Sequence, residues 1–350
     1  MASSMSNHQG KIVVFGASGH TGRFVVAELE RRAMNAVLVG RDADKLSRLA
    51  AEHPGMDVRV ASMDDASSLD RALGGASLVI HCAGPFVDTA EPVIEAALRA
   101  RAHYLDVSAE QRVTLATFER FAEAARAAGV VLIPSMGFFG ALGDLVATAA
   151  MGDWISADEI RVAVALDSWK PTQGTRLTGE KNPGPRSAYS KSMLTPVEDP
   201  PSGIWHFSPP FGIQEVVAFP LTETIVISRH LRSPEVHAFL NRTALEDLHD
   251  PNTPAPTAAD ESGHSDQMFL MQAVVRKGGE ERTASVAGQD IYAITAPLVV
   301  KAAQEVLESD LRTTGTCAPG EIFNAEEFLR ALASELPSLH LEVQLTKVPL

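Results

Sequence analysis

The chain has little to cross-link it and nothing that reads as a membrane anchor. Of its 350 residues only Cys82 and Cys317 are cysteine. They lie far apart, and Cys82 sits inside an apolar run, so a disulfide framework is not expected and a reducing, cytoplasmic setting fits. No apolar stretch approaches the roughly 20 uninterrupted residues that cross a bilayer. The opening "MASSMSNHQG" lacks the apolar core of a signal peptide, so the expectation is a soluble protein with no membrane partner. Positive charge is in deficit, with 30 Lys and Arg against 44 Asp and Glu and a formal net charge of -14. Such a surface repels a phosphate backbone, which argues against a nucleic-acid partner.

Several catalytic signatures are missing as well. None of the 11 His residues forms HExxH or pairs with Cys at ligand spacing, so no metal site is expected. There is no GxSxG elbow. Tyr104, Tyr189 and Tyr292 are followed four residues later by Ser108, Met193 and Ala296, not by the Lys that would lower a phenol pKa for proton transfer.

What is present is a regular alternation. "KIVVFGA" (11–17), "NAVLVGR" (35–41), "MDVRVAS" (56–62), "SLVIHCA" (77–83), "HYLDVS" (103–108) and "VVLIPSM" (130–136) read as strands buried on both faces. The segments between them repeat apolar residues at three and four, as helices packed on one side do. The pattern predicts an α/β protein with a Rossmann-like parallel sheet, and the length predicts a second domain. After residue 136 the alternation stops. "GALGDLVATAAM" (140–151) reads as a buried helix, and strands are expected at 158–167, 215–219, 222–229, 266–277 and 282–288, forming a mixed sheet. Segments 168–214 and 247–263 are rich in Gly, Pro and Ser or Asp and read as loop or linker. Helices are expected at 290–309 and 324–336, the latter with an Asn cap, and a terminal strand at 339–348.

The stretch "VVFGASGHTGR" (13–23) sets three glycines three apart behind the first strand. Gly16 suits a tight turn, Gly19 a close approach of backbone to a pyrophosphate, and Gly22 a helix lying close to the sheet. Ser18, His20 and Thr21 complete the candidate cofactor loop, and the helix starting near His20 would aim its amides at phosphate. The spacing is GxxGxxG, and its place between strand and helix is the context that a dinucleotide motif requires. At the second strand's tip, "VGRDADK" has no acid for a ribose 2′-hydroxyl but offers Arg41, with Lys45 a turn later. A guanidinium fork suits a 2′-phosphate, which points to NADP(H); paired with Asp42 or Asp44, Arg41 would be only a solvated surface residue.

"HCAGPFVDTAEPVIEAALRARAHYLDVSAEQ" (81–111), with "GQDIYAITAPLVVKAAQEVLES" (288–309) and "GTCAPGEIFNAEEFLRAL" (315–332), resembles the saccharopine dehydrogenase-like oxidoreductases. The resemblance implies a nucleotide domain of residues 1–136 plus 290–336, an inserted substrate and dimerisation domain of 137–289, a terminal strand in 337–350, and a homodimer. It implies that Ala83, Gly84, Pro85 and Phe86 border the nicotinamide, that Asp64 neighbours the adenine, and that Tyr104 and Asp106 border the reaction cleft as candidate catalytic residues. Taken as residues alone, Tyr104 also reads as a core aromatic and Asp106 as a helix cap. The segment "GFFGALGD" (137–144) departs from the family pattern, with Phe139 where an Asp is common and Leu142 in place of Pro; Asp144 remains. The implied activity is NADP(H)-dependent hydride transfer to a small C=N, C=O or conjugated C=C substrate. A cofactor-binding regulator or scaffold without turnover is the alternative. Between Asp167 and Lys191 the bases Lys170, Arg176, Lys181, Arg186 and Lys191 face only Asp167 and Glu180, a local excess that fits either a solvated loop or an anionic or carrier-linked substrate.

Overall fold

The computed structural model describes residues 10–308 and 313–349. Most of the leader reading of residues 1–10 and the end of the helix expected at 290–309 therefore lie outside the described residues. The first half of the chain alternates β1 (Ile12–Phe15), α1 (His20–Arg31), β2 (Ala36–Gly40), α2 (Ala43–Glu52), β3 (Asp57–Val60), α3 (Ala66–Leu73), β4 (Leu78–His81), α4 (Phe86–Ala100), β5 (His103–Asp106), α5 (Gln111–Ala128) and β6 (Val131–Ile133). A π-helical turn (Phe138–Leu142) leads into α6 (Gly143–Met151), β7 (Glu159–Leu166), α7 (Gln173–Lys181), β8 (Ser187–Ser190), β9 (Met193–Pro196), β10 (Ser202–His206) and β11 (Ile213–Ala218). There follow α8 (Thr222–His230), β12 (Val236–Asn241), α9 (Arg242–His249), β13 (Met268–Lys277), β14 (Glu280–Gln289), α10 (Thr295–Glu308), β15 (Gly315–Thr316), α11 (Pro319–Ile322), α12 (Ala325–Glu335) and β16 (His340–Pro349).

The six expected strands are β1 to β6, and they form a parallel sheet in the order β15-β6-β5-β4-β1-β2-β3. The strand order reverses between β1 and β4, which in open α/β sheets is where ligands bind. Alternate residues of β1 face opposite cores. Ile12 and Val14 join the larger core, and Val13 and Phe15 join the core under α3 and α4. Burial on both faces is why β1, β2, β4 and β6 read as continuous apolar runs, whereas β3, at the sheet's edge, has no buried residue and corrects the expectation for 56–62.

The second sheet is mixed and nine-stranded, with the path β10-β11-β12-β7-β13-β14-β16 and β8 and β9 as a side hairpin. The larger core spans both sheets, holding Leu38 and Ile80 from the first with Val164 and Met271 from the second. The C-terminal helices close the loop back to the start: α10 packs on α1, and β15 extends the first sheet beside β6. Polar contacts add to this apolar docking. Buried Glu28 bonds Arg31 at 2.7 Å and Arg32 at 2.6 Å, and Arg32 reaches Gln304 at 3.1 Å and also bonds Glu335.

Three expectations are corrected. Residues 222–229, expected as a strand of a mixed sheet, form α8, whose Thr222 to Ile227 are all buried. Helix α8 packs against the π-turn and against α5, α6 and α11, and tertiary packing on all sides overrides a strand propensity of this size. The segment 168–214, read as loop or linker, holds α7, whose N-cap Thr172 accepts a bond from the Thr175 amide at 3.1 Å, and the strands β8, β9 and β10. The helix expected from 290 starts five residues later. Asp290, at φ 53°, spends its carboxylate on the amides of Tyr292 and Ala293, making a turn before α10. Of the segment 247–263, read as loop or linker, residues 247–249 close α9 and residues 250–263 carry no helix or strand.

Candidate functional site

The glycine loop has the shape that its spacing implies. Gly16 adopts φ 84°, and a Cβ there would lie 2.8 Å from the Ala83 backbone and side chain. A Cβ on Gly22 would lie 2.2 Å from the Gly16 carbonyl oxygen, so only glycine lets α1 approach the loop this closely. Gly19, with an ordinary φ of -74°, is the N-cap of α1 and provides no side chain to the helix's first amides. The hydroxyls of Ser18 and Thr21 have no hydrogen-bond partner among the described residues. An uncapped helix N-terminus behind a turn of small residues is the donor set of a phosphate cradle, and a dinucleotide pyrophosphate fits it. The His20 ring packs edge-on to Phe24 and to Tyr292, each at 5.3 Å, and partial desolvation lowers its pKa.

At the tip of β2, Arg41 is exposed and has no hydrogen-bond or ion-pair partner among the described residues. Asp42, its sequence neighbour, instead caps α2 through the Lys45 amide at 3.0 Å and meets the Lys45 ammonium at 3.7 Å. The guanidinium is thus left for a ligand, while Lys45 is shared with an acid. Asp64 lies exposed in the turn between β3 and α3. Ala83 and Gly84 follow β4, whose C-terminal end adjoins that of β1. The Gly84-Pro85 peptide is cis, and Phe86 opens α4.

A cleft of about 940 Å3 runs from this loop into the second sheet's territory. Thr21, Gly84 and Phe86 border it on one side and Trp169, Thr175 and Arg186 on the other. Glu110 and Gln111, which no motif pointed to, join its two sides. The Glu110 carboxylate accepts the amides of Phe86 at 2.7 Å and Val87 at 2.9 Å, capping α4 from another element, and also the Asn182 amide group at 2.9 Å beyond α7. Gln111 donates to the Ser187 and Leu221 carbonyls at 2.7 and 2.8 Å and accepts the Ser187 amide at 2.8 Å. On the far side the Tyr292 hydroxyl accepts from Trp169 Nε1 at 3.1 Å and the Thr172 amide at 3.3 Å, with Thr175 Oγ1 at 3.0 Å. A Glu-Gln pair following the fifth strand was the available sequence signal, but nothing local marks which backbone it will serve.

Tyr104 and Asp106 do not reach this cleft. Both are fully buried beneath its floor and neither lines it. The Tyr104 hydroxyl lies 2.9 Å from His81 Nδ1, and burial raises its pKa well above the usual phenol range. Asp106 Oδ1 accepts the amides of Ser108 at 3.0 Å and Ser135 at 2.8 Å, while burial pushes the carboxyl up to about 6. His81 is held neutral, its pKa lowered to about 3 by burial. Cys82 lines the cleft, and burial raises its thiol pKa, so it is not a thiolate. His103 Nδ1 accepts the Val131 amide at 3.1 Å, a structural role. Asp144 is also remote from the cleft: fully buried, it bonds His230 at 2.6 Å and the Gly320 amide at 2.7 Å.

Comparison with known proteins agrees with this geometry. Residues 12–133 match the family described as saccharopine dehydrogenase NADP binding domain. The saccharopine dehydrogenase-like oxidoreductase of Rattus norvegicus is 30% identical over 146 residues, which are 37% of this chain and 34% of that protein. Its Homo sapiens counterpart is 32% identical over 145 residues, 36% and 34% of the two chains. The match thus spans about a third of the relatives' length. The structure of apo saccharopine dehydrogenase (L-Glu forming) from Saccharomyces cerevisiae superposes with a TM-score of 0.65, covering 95% of this chain and 99% of that one at 13% identity, a likeness of fold. Among the described residues no helix is long and apolar enough to cross a membrane. Residues 12–133, with the glycine turn and the reversal of strand order beside it, thus match the saccharopine dehydrogenase NADP binding domain family, within a chain whose two-sheet fold is like that of saccharopine dehydrogenase.

Proposed function

We propose that this protein is an NADP(H)-dependent oxidoreductase that reduces, or in reverse oxidises, a small substrate with a C=N, C=O or conjugated C=C group. The observation that carries the reading is continuity: the first turn of α1 and the walls of the second sheet's domain border one cleft. Gly16, Gly19 and Gly22 with the α1 amides would hold the pyrophosphate, and Arg41 the 2′-phosphate. When bound, the cofactor supplies the hydride equivalent. The chain's own residues supply position and a dry wall. Glu110 and Gln111 fix α4 and the 182–187 strand-approach against each other, while Phe86, Phe139 and Trp169 exclude water from the space between. Tyr104 and Asp106, below the floor, act in this reading as positioning residues: Asp106 fixes the Ser108 and Ser135 amides, and with them the loop that presents Glu110.

Calorimetric titration with NADPH and NADH tests it. Tight NADPH binding that weakens about tenfold in Arg41→Ala, with NADH unaffected, is the expected result, since a hydrogen bond to a charged group is worth roughly that much. Failure of both nucleotides to bind the parent protein would remove the reading. Binding without oxidation of NADPH by any carbonyl, imine or enone in a substrate screen would leave a cofactor-binding regulator.

A further inference from the structure

The five bases between residues 170 and 191 have different fates in the fold. Lys170 meets Asp266 at 3.6 Å and Lys181 meets Asp88 at 3.2 Å. Arg176 donates to the carbonyls of Asp250 at 3.3 Å and Thr253 at 2.7 Å, fastening the loop after α9. Lys191 is exposed. Arg186 differs from all of these. Its guanidinium is half-buried and lies 4.0 Å from the centre of the Phe219 ring, and it makes no hydrogen bond or ion pair with any described residue. It borders the main cleft and also a smaller neighbouring cavity of about 420 Å3.

We propose that Arg186 is the oxyanion anchor of the cleft, and that the substrate is a carboxylate or phosphate carried on an apolar, planar body that lies along Phe139, Trp169 and Phe219. The proposal deepens the reductase reading of the same cleft and rests on it for the chemistry, though not for the binding. Phe139 and Trp169 are stacked at 5.2 Å and 27°, Trp169 meets Phe219 edge-on at 6.3 Å, and Phe219 carries the guanidinium. All four residues border the cleft, Trp169 and Phe219 as buried rings that show it only an edge, so its wall is apolar and ends in a cation. An aromatic face orients a guanidinium while leaving its N–H donors free, and those donors match an oxyanion two at a time.

Two features show that the arginine is placed rather than merely present. Its backbone is held on both sides, by the Val197 amide on its own carbonyl at 2.8 Å and by the two-bond Gln111 clamp on Ser187. Its charge is also left uncompensated. The acid that it senses most, Glu223, is not in ion-pair contact: one carboxyl oxygen accepts the Leu221 amide at 2.8 Å, the other has no partner, and burial pushes the carboxyl up to about 8, so it is neutral at pH 7. Glu110 is committed to α4, and Glu198 lines only the smaller cavity without reaching Arg186 in an ion pair. A part-buried guanidinium without a counterion is costly, and a ligand oxyanion removes that cost.

The test is calorimetric binding of 3-phenylpropionate, phenyl phosphate and the neutral 3-phenylpropanamide, each with and without saturating NADPH, to the parent, Arg186→Gln, Arg186→Lys and Arg176→Gln. The parent should bind one or both anions at least about tenfold more tightly than the amide, the weight of a hydrogen bond to a charged group. Which anion wins separates a carboxylate from a phosphate substrate. Arg186→Gln should erase the preference, Arg186→Lys should keep only part of it, and Arg176→Gln should leave it in place, while the NADPH affinity of all three stays at the parent value and reports an intact fold. Equal binding of anion and amide by the parent, a measurement that needs no variant, would overturn the proposal. So would failure of all three probes to bind at millimolar concentration, or a preference that survives Arg186→Gln. Anion binding that depends on Arg186 in a protein that ignores NADPH would uphold the anchor and sink the reductase reading.

Discussion

Single residues decide the cofactor loop, and two of its glycines make opposite predictions. A methyl group on Gly22 would press within 2.2 Å of the Gly16 carbonyl oxygen, a backbone atom that cannot swing away. Gly22→Ala should therefore cost about 1–3 kcal/mol of stability in urea unfolding, as overpacking of a close-packed site does. On Gly19 the same methyl would lie 3.2 Å from that oxygen, at a φ that alanine accepts. Gly19→Ala should thus cost about 1 kcal/mol or less, the loss of a glycine N-cap, while weakening NADPH binding if the pyrophosphate passes there. Equal losses of stability would mean that the loop is only a turn. The spacing of Gly16, Gly19 and Gly22 and the place of Arg41 were legible because each acts through its own backbone or its own charge. Glu110 was not, since its carboxylate caps a helix 24 residues earlier in the chain.

Among the elements, α7 is the least anchored wall of the cleft. It has no buried residue and is held by polar contacts, chiefly those around the Tyr292 hydroxyl, Glu110 and Lys181. Elements with few buried apolar contacts open first. Tyr292→Phe removes an acceptor shared by Trp169 and the Thr172 amide, so amides of residues 173–181 should exchange with solvent at least about fivefold faster, roughly 1 kcal/mol of local stability, with the strands of both sheets unchanged. Unaltered protection of this helix would show that its hold lies elsewhere. The same helix shows the limit of composition: a segment rich in Gly, Pro and Ser reads as loop, yet Thr172 caps a helix within it. In α8 the error ran the other way, because β-branched residues buried on every side carry no periodicity that separates helix from strand.

For the whole molecule, the His230–Asp144 pair joins α8 to α6, and the Gly320 amide on the same carboxylate adds α11. Burial by itself would lower the His230 pKa, but the charge of Asp144 and its hydrogen bond outweigh that and raise it above the usual imidazole value. A raised folded pKa means that the folded state holds the proton more tightly. The pair's stabilisation is therefore complete below the unfolded value near 6.5 and is lost as pH rises through the folded pKa. Urea midpoints should fall on going upward through that window, and His230→Gln should flatten the fall. His230→Ala should cost about 3–5 kcal/mol at pH 6, because it leaves a fully buried carboxylate with one partner fewer. A parent midpoint that rises across the window would reverse the assignment of the charged pair.

The sequence by itself determined the α/β class, the six strands and the glycine loop of the first sheet, because these rest on short-range rules of burial, turn conformation and helix capping that neighbouring residues satisfy among themselves. Only the tertiary structure decided what faces the cleft. It buried Tyr104 and Asp106 beneath the floor and took Arg176 and Lys181 into ties between elements. It left Arg41 and Arg186 without a hydrogen-bond or ion-pair partner among the described residues. Whether a charged or polar side chain is spent on its own protein or kept for a ligand depends on which distant backbone arrives beside it, and that pairing is set when the two sheets close on their shared core.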